Sequence, residues 1–194
     1  MVGGFSLITI LILEIFGIIL LADFISGIGH WWEDAYGNPN WTWFGIGKHI
    51  VQPNLEHHQK PRKFLNQGYY SRNNSTFAVV GIAAVIFFLC SILTWQSTLL
   101  LVILSQINEV HAMAHRSPKE KWEIISYFQS IGLLQSSKQH GEHHISPYDI
   151  NYCILTDYLN PLLNKINFWQ NIEKAIKFFT GISPLRGSKI RKGL

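Results

Sequence analysis

Phe77-Ala78-Val79-Val80-Gly81-Ile82-Ala83-Ala84-Val85-Ile86-Phe87-Phe88-Leu89-Cys90-Ser91-Ile92-Leu93-Thr94-Trp95 runs for nineteen residues without a charge. As a helix it would be about 28 Å long, enough to cross the hydrocarbon of a bilayer. This stretch makes the chain an all-α integral membrane protein. Upstream, Gly4 to Leu21 is apolar except for Glu14 and has no Lys or Arg before it. A secretory signal would need a positive start and a small-residue cleavage site, so this is read as a first transmembrane helix. Downstream, a short break at Gln96-Ser97-Thr98 leads into a third span from Leu99, which closes a hairpin. The expectation is one domain over residues 1–194, with transmembrane helices at about 4–29, 76–95 and 98–115. Two shorter amphipathic segments, about 119–136 and 162–180, are expected to lie in the interface. The first would rest Trp122, Ile125, Phe128 and Leu133 on the bilayer. The second would do so with Leu162, Ile166, Trp169, Ile172, Ile176 and Phe179.

Hydrophobic residues make up 47% of the 194 and charged residues 14%, a membrane composition. The formal charge of +4 carries no basic run interleaved with base-stacking aromatics, so nucleic acid is not expected as a partner. All sixteen Lys and Arg lie in residues 30–76 and 116–194. The positive-inside tendency therefore puts both segments in the cytoplasm and the amino terminus outside. Trp31, Trp32, Trp41 and Trp43 read as an interfacial anchor, and Lys60, Arg62, Lys63 and Arg72 as a basic loop suited to anionic headgroups. The tail with Arg186, Lys189, Arg191 and Lys192 is expected to be loosely ordered. Cys90 and Cys153 stand alone, which excludes a disulfide framework or a thiolate metal site.

The nine histidines fall in the same two segments or at the helix ends that feed them. His140, His143 and His144 are spaced to share one helical face. His57 and His58 are adjacent. Ser105, Asn108, His111 and His115 form a polar stripe on an apolar helix, which is expensive unless it faces a cavity. His30 follows Asp23 by two turns. With His49 set aside, eight imidazoles suit two ions better than one four-ligand zinc, although imidazole accepts iron, copper or zinc. No carboxylate stands three residues ahead of a histidine in the Glu-x-x-His manner of carboxylate-bridged bundles. Asp23, Asn108, Glu142 and Asp149 are instead expected to orient the rings from behind. A two-metal site at a membrane surface fits oxygen chemistry on a lipid chain, the ions rather than any side chain carrying the hard step. Electrons would come from outside, because no flavin, nicotinamide or iron–sulfur motif is present. Three other readings stay open: a lipid hydroxylase at the same site, an intramembrane zinc amidohydrolase and a non-catalytic membrane scaffold.

The residues also resemble a family, the Kua or CarF-like lipid desaturases, which include plasmanylethanolamine desaturase and the plastid trans-3 phosphatidylglycerol desaturase. Asp23-Phe24-Ile25-Ser26-Gly27-Ile28-Gly29-His30-Trp31 is similar to its opening motif. Glu56-His57-His58 and Asn108-Glu109-Val110-His111-Ala112-Met113-Ala114-His115 are similar to its next two. His140-Gly141-Glu142-His143-His144-Ile145-Ser146-Pro147, continuing into Asn151-Tyr152-Cys153-Ile154 and Leu159-Asn160, is the most specific block, extended by Phe168-Trp169, Glu173 and Thr180-Gly181. The resemblance covers about residues 22–184. It implies that His30, His57, His58, His111, His115, His140, His143 and His144 hold two iron ions, with His49 outside the pattern. It further implies a phospholipid substrate, O2 and an external electron donor of cytochrome b5 or ferredoxin type. Gln139 departs from members that have a further histidine there. Tyr152-Cys153-Ile154 leans toward the plastid branch and Phe168-Trp169 toward the ether-lipid branch.

Overall fold

The structure is a computed structural model and describes residues 6–186; Gly4 at the expected start of the first helix, and Lys189, Arg191 and Lys192 of the tail, lie outside the described residues. Among the described residues every regular element is helical. Helix α1 (Leu7–Ala35) is capped by Ser6, whose hydroxyl accepts from the Thr9 amide. At about 43 Å it exceeds the thickness of the hydrocarbon, so its last turns reach the interface. Glu14 is exposed on its surface. After a π-helical turn at Gly47–Val51 comes α2 (Gln52–Gln59). The membrane hairpin is then built from α3 (Tyr69–Leu89), α4 (Trp95–Ser105) and α5 (Ile107–His115). Three stretches, Leu7–Ala35, Tyr69–Leu89 and Trp95–His115, are long and apolar enough to cross a membrane. Their outward side chains, such as Leu13, Ile82, Val85 and Val102, are exposed and fit lipid contact.

Helix α3 starts well before the apolar run because its polar first turns have partners. Arg72 forms a two-pronged ion pair with Glu109 of α5, at 2.7 and 3.2 Å, and Asn73 donates to the same carboxylate at 2.9 Å. Both ends of the pair are largely buried, so removing one partner would cost about 3–5 kcal/mol. The α3–α4 turn falls at residues 90–94, ahead of Gln96. Thr94 closes it with a capping box to Ser97, which satisfies donors that the helix start would otherwise orphan. Between α4 and α5 the helix breaks at Gln106. There the Ser105 hydroxyl donates to the Val102 carbonyl, and the Gln106 side chain bonds Ser105 and the Tyr69 hydroxyl. Side chains that compete with the backbone ladder bend a helix in this way.

Helices α6 (Glu123–Ser130), α7 (Ser137–His143), α8 (Leu159–Lys165) and α9 (Phe168–Thr180) complete the chain. They gather at the end where α1 and α5 finish. The core there is Trp31, Ala35, Tyr152, Cys153, Leu163 and Trp169. Two expectations change as a result. Trp31 and Trp169 are not surface anchors but lie 5.8 Å apart in that core, with the Trp31 indole donating to Glu173. Trp43, Phe44, Trp122, Phe178 and Phe179 are among the aromatics that are exposed. Arg186 is also not loose, because its guanidinium donates to the Tyr152 hydroxyl and to Glu173, while the Leu185 amide donates to the Ala35 carbonyl. The end of the described chain is thereby strapped across the end of α1.

Candidate metal centre

Asp23, Ser26, Gly27 and His30 recur at helical spacing on one face of α1, and the structure shows what that face does. An extended segment, residues 152–156, lies on it. Asp23 accepts from the Leu155 amide at 2.8 Å and the Thr156 hydroxyl at 2.5 Å, and the Ser26 hydroxyl accepts from the Ile154 amide. Gly27 makes room for the approach: a Cβ there would sit 2.7 Å from the Cys153 Sγ and 3.2 Å from its amide nitrogen. His30 completes the face by donating from Nδ1 to the Tyr152 carbonyl at 3.2 Å. A Gly27→Ala variant is expected to lose about 1–3 kcal/mol of stability from overpacking. Adding Cys153→Ala should return part of it, as read from thermal midpoints in detergent; a neutral Gly27→Ala would overturn the close approach.

The structure brings all eight of the histidines together, from α1 (His30), α2 (His57, His58), α5 (His111, His115), α7 (His140, His143) and its C-cap (His144). They form two adjacent sets. In the first, His57, His111, His115, His140 and His144 each offer a nitrogen within 4.8 Å of the others. The Nε2 atoms of His57 and His115 are 2.9 Å apart, those of His115 and His140 2.7 Å, and those of His140 and His144 3.0 Å. One ring nitrogen cannot satisfy several such neighbours with a single proton, whereas nitrogens bound to one ion at about 2.1 Å stand roughly 3 Å apart. In the second set, His30, His58 and His143 surround Asp34. Its carboxylate lies 2.9 Å from His58, 3.2 Å from His143 and 3.7 Å from His30.

The hydrogen bonds behind the rings favour a cation. A carbonyl only accepts, so the bonds from Nδ1 of His30 to Tyr152 and of His143 to Ile150 put the proton on Nδ1 and leave the Nε2 lone pairs facing inward. Nε2 of His30, His111 and His143 is buried without a hydrogen-bond partner, a cost that an ion would offset. Burial first, and neighbouring imidazoles second, hold His57 and His140 far below the ordinary imidazole range and His144 at about 2. These rings are neutral and able to donate a lone pair. The donor set of eight imidazoles and one carboxylate could hold a transition-metal ion in each set.

The four residues expected behind the rings have other work. Asp23 holds the 152–156 segment. Asn108 donates to the Arg72 carbonyl and Thr76 hydroxyl. Glu142 accepts from Asn151, and Asp149 accepts from Gln170. Among the described residues their hydrogen bonds go to backbone and side chains outside the two histidine sets. Gln139 likewise donates to the Asp157 carbonyl and accepts from the Asn160 side chain. His49 is exposed and outside both sets. The residue that sequence reasoning missed is Asp34. Its signal was its place one turn beyond His30 on the same helix face, hidden because carboxylates were sought ahead of histidines rather than after one.

An all-helical membrane protein with two histidine-rich ligand sets at one end of its bundle is the class that fold and site define. Residues 19–186 match the lipid desaturase domain, and the chain belongs to that family of oxidoreductases. It is 34% identical over 169 residues to a protein of Acanthamoeba polyphaga mimivirus named "Probable fatty acid desaturase", covering 85% of this chain and 82% of that one. It is 32% identical to the chloroplastic fatty acid desaturase 4-like 1 of Arabidopsis thaliana and 24% identical to the plasmanylethanolamine desaturase of Myxococcus xanthus. Each of these matches covers 85% of this chain, but only 56% and 60% of the longer relatives. No solved structure matches the chain.

Proposed function

We propose that residues 1–194 act as one membrane di-iron desaturase domain that uses O2 and external electrons to place a double bond in a chain of a phospholipid. The observation that carries this is the pair of adjacent ligand sets, five histidines beside three histidines and an aspartate, in a member of this family. Iron, when bound, would supply the activation of O2 and the removal of hydrogen from a carbon that no acid or base could ionise. In the balanced reaction two hydrogens leave the chain and, with two electrons and two protons from the donor, reduce O2 to two waters. The protein's own part is positional. Tyr152 and Ile150 fix two imidazoles through their carbonyls, Asp34 supplies the one negative charge among the ligands, and the helices around the site keep most of these side chains from bulk water.

Charge asymmetry supports a cytoplasmic location for this end of the bundle, where a cytochrome b5- or ferredoxin-type donor would reach it. The names of the plant and bacterial relatives support an acyl or ether-linked chain in a membrane lipid as the substrate. Expression in a host with a known lipid profile tests the reading. Phospholipids should gain one double bond or vinyl ether, and the purified protein should hold about two irons per chain. A product heavier by one oxygen without new unsaturation would overturn desaturation, and one zinc with O2-independent activity would overturn oxygen chemistry altogether.

A further inference from the structure

Beside the histidine sets lies a recess of about 510 Å³ lined by Arg62, Lys63, Leu65, Asn66, Arg116 and Glu120. We propose that it binds a phosphate group, that of the lipid on which the site acts; this source rests on the lipid-desaturase reading. The argument begins with the charges. Glu120 is the one acid in the lining, and its carboxylate is already engaged by Arg62, at 2.7 and 3.3 Å, and by the amide and hydroxyl of Ser117, each at 2.8 Å. Lys63 reaches out to Glu56 in a pair exposed at both ends, which holds the ammonium only weakly. Arg116 is half-buried and has no hydrogen-bond or ion-pair partner among the described residues. The recess therefore keeps surplus positive charge, including an unengaged guanidinium fork of the shape that grips phosphate oxygens.

Position gives the source. Arg116 follows His115 directly, where the Trp95–His115 span ends, the depth at which lipid phosphates lie. Arg62 donates to the His115 carbonyl at 3.1 Å, so the wall of the recess is bonded to the helix that carries two of the clustered histidines. A phosphate held here would be tethered at a fixed offset from the ligand sets.

The test uses the full iron-loaded chain in nanodiscs with two spin-labelled probes, phosphatidylglycerol and diacylglycerol, which share chains and differ in the phosphate headgroup. The unmodified protein should retain phosphatidylglycerol over diacylglycerol by about tenfold or more, the scale of a charge-assisted hydrogen bond. Arg116→Gln should lose most of that preference while keeping its iron, and Arg116→Lys should keep part of it. An unchanged preference in Arg116→Gln would overturn the proposal. Inorganic phosphate supplies the other arm. Tight binding of inorganic phosphate with no preference between the lipid probes would make the recess a free-phosphate site and overturn the lipid assignment. If the unmodified chain neither holds iron nor desaturates, yet keeps an Arg116-dependent preference, the functional reading fails while the phosphate recess stands.

Discussion

His140→Ala should empty the five-histidine set and abolish desaturation. His140 is the central ring of that set, with its Nε2 2.7 Å from that of His115 and 3.0 Å from that of His144. Alanine offers no ligand atom, and it leaves the His115 and His144 nitrogens without the ring they face. Iron content is expected to fall from about two per chain to one or fewer, and product to drop at least a hundredfold, since loss of even an outer-shell partner costs roughly 10–100-fold. Metal analysis of the purified variant, with helicity and thermal midpoint compared against metal-free unmodified protein, separates loss of ligand from loss of fold. Two retained irons with normal product would show that His140 is not a ligand.

Asp34→Asn should remove the second ion and leave the first. Asparagine keeps the size of the side chain and one oxygen but loses the charge, and Asp34 is the carboxylate that His30, His58 and His143 surround. Affinity at that set should fall by more than the roughly 10–100-fold that loss of an outer-shell partner costs, so titration should show one tight iron in place of two. Product should be lost with it, because the proposed reaction needs both. The contrast between the variants is the informative part: His140→Ala acts on the five-histidine set and Asp34→Asn on the other. Full loading of Asp34→Asn would exclude the carboxylate as a ligand.

Much of this was legible in the chain. The uncharged run from Phe77 announced a membrane span, and the spacing of His140, His143 and His144 announced a shared face, because each signal is local to one helix. What escaped depends on contacts between elements. Nothing local says that Tyr69–Thr76 is helical, since that rests on Glu109 of another helix meeting Arg72 and Asn73. Trp31 and Trp169 look alike to any pattern that reads aromatics near a membrane as anchors, and only their mutual packing shows them to be core. Asp23 is expected from its spacing to orient a ring, and its carboxylate instead accepts from Leu155 and Thr156. Its place on the His30 face was visible, but the partner on that face was a backbone segment more than a hundred residues away.

That separation shapes how the protein is made. His30 is fixed by a carbonyl 122 positions later in the chain, and the first membrane helix enters the bilayer long before the ribosome has reached Tyr152. Until the segment around Tyr152 settles onto α1, the set around Asp34 lacks the carbonyl that fixes His30. Loading of that set would therefore have to wait for the last third of the chain, and a polypeptide interrupted before Tyr152 would carry His30 without the bond that orients it.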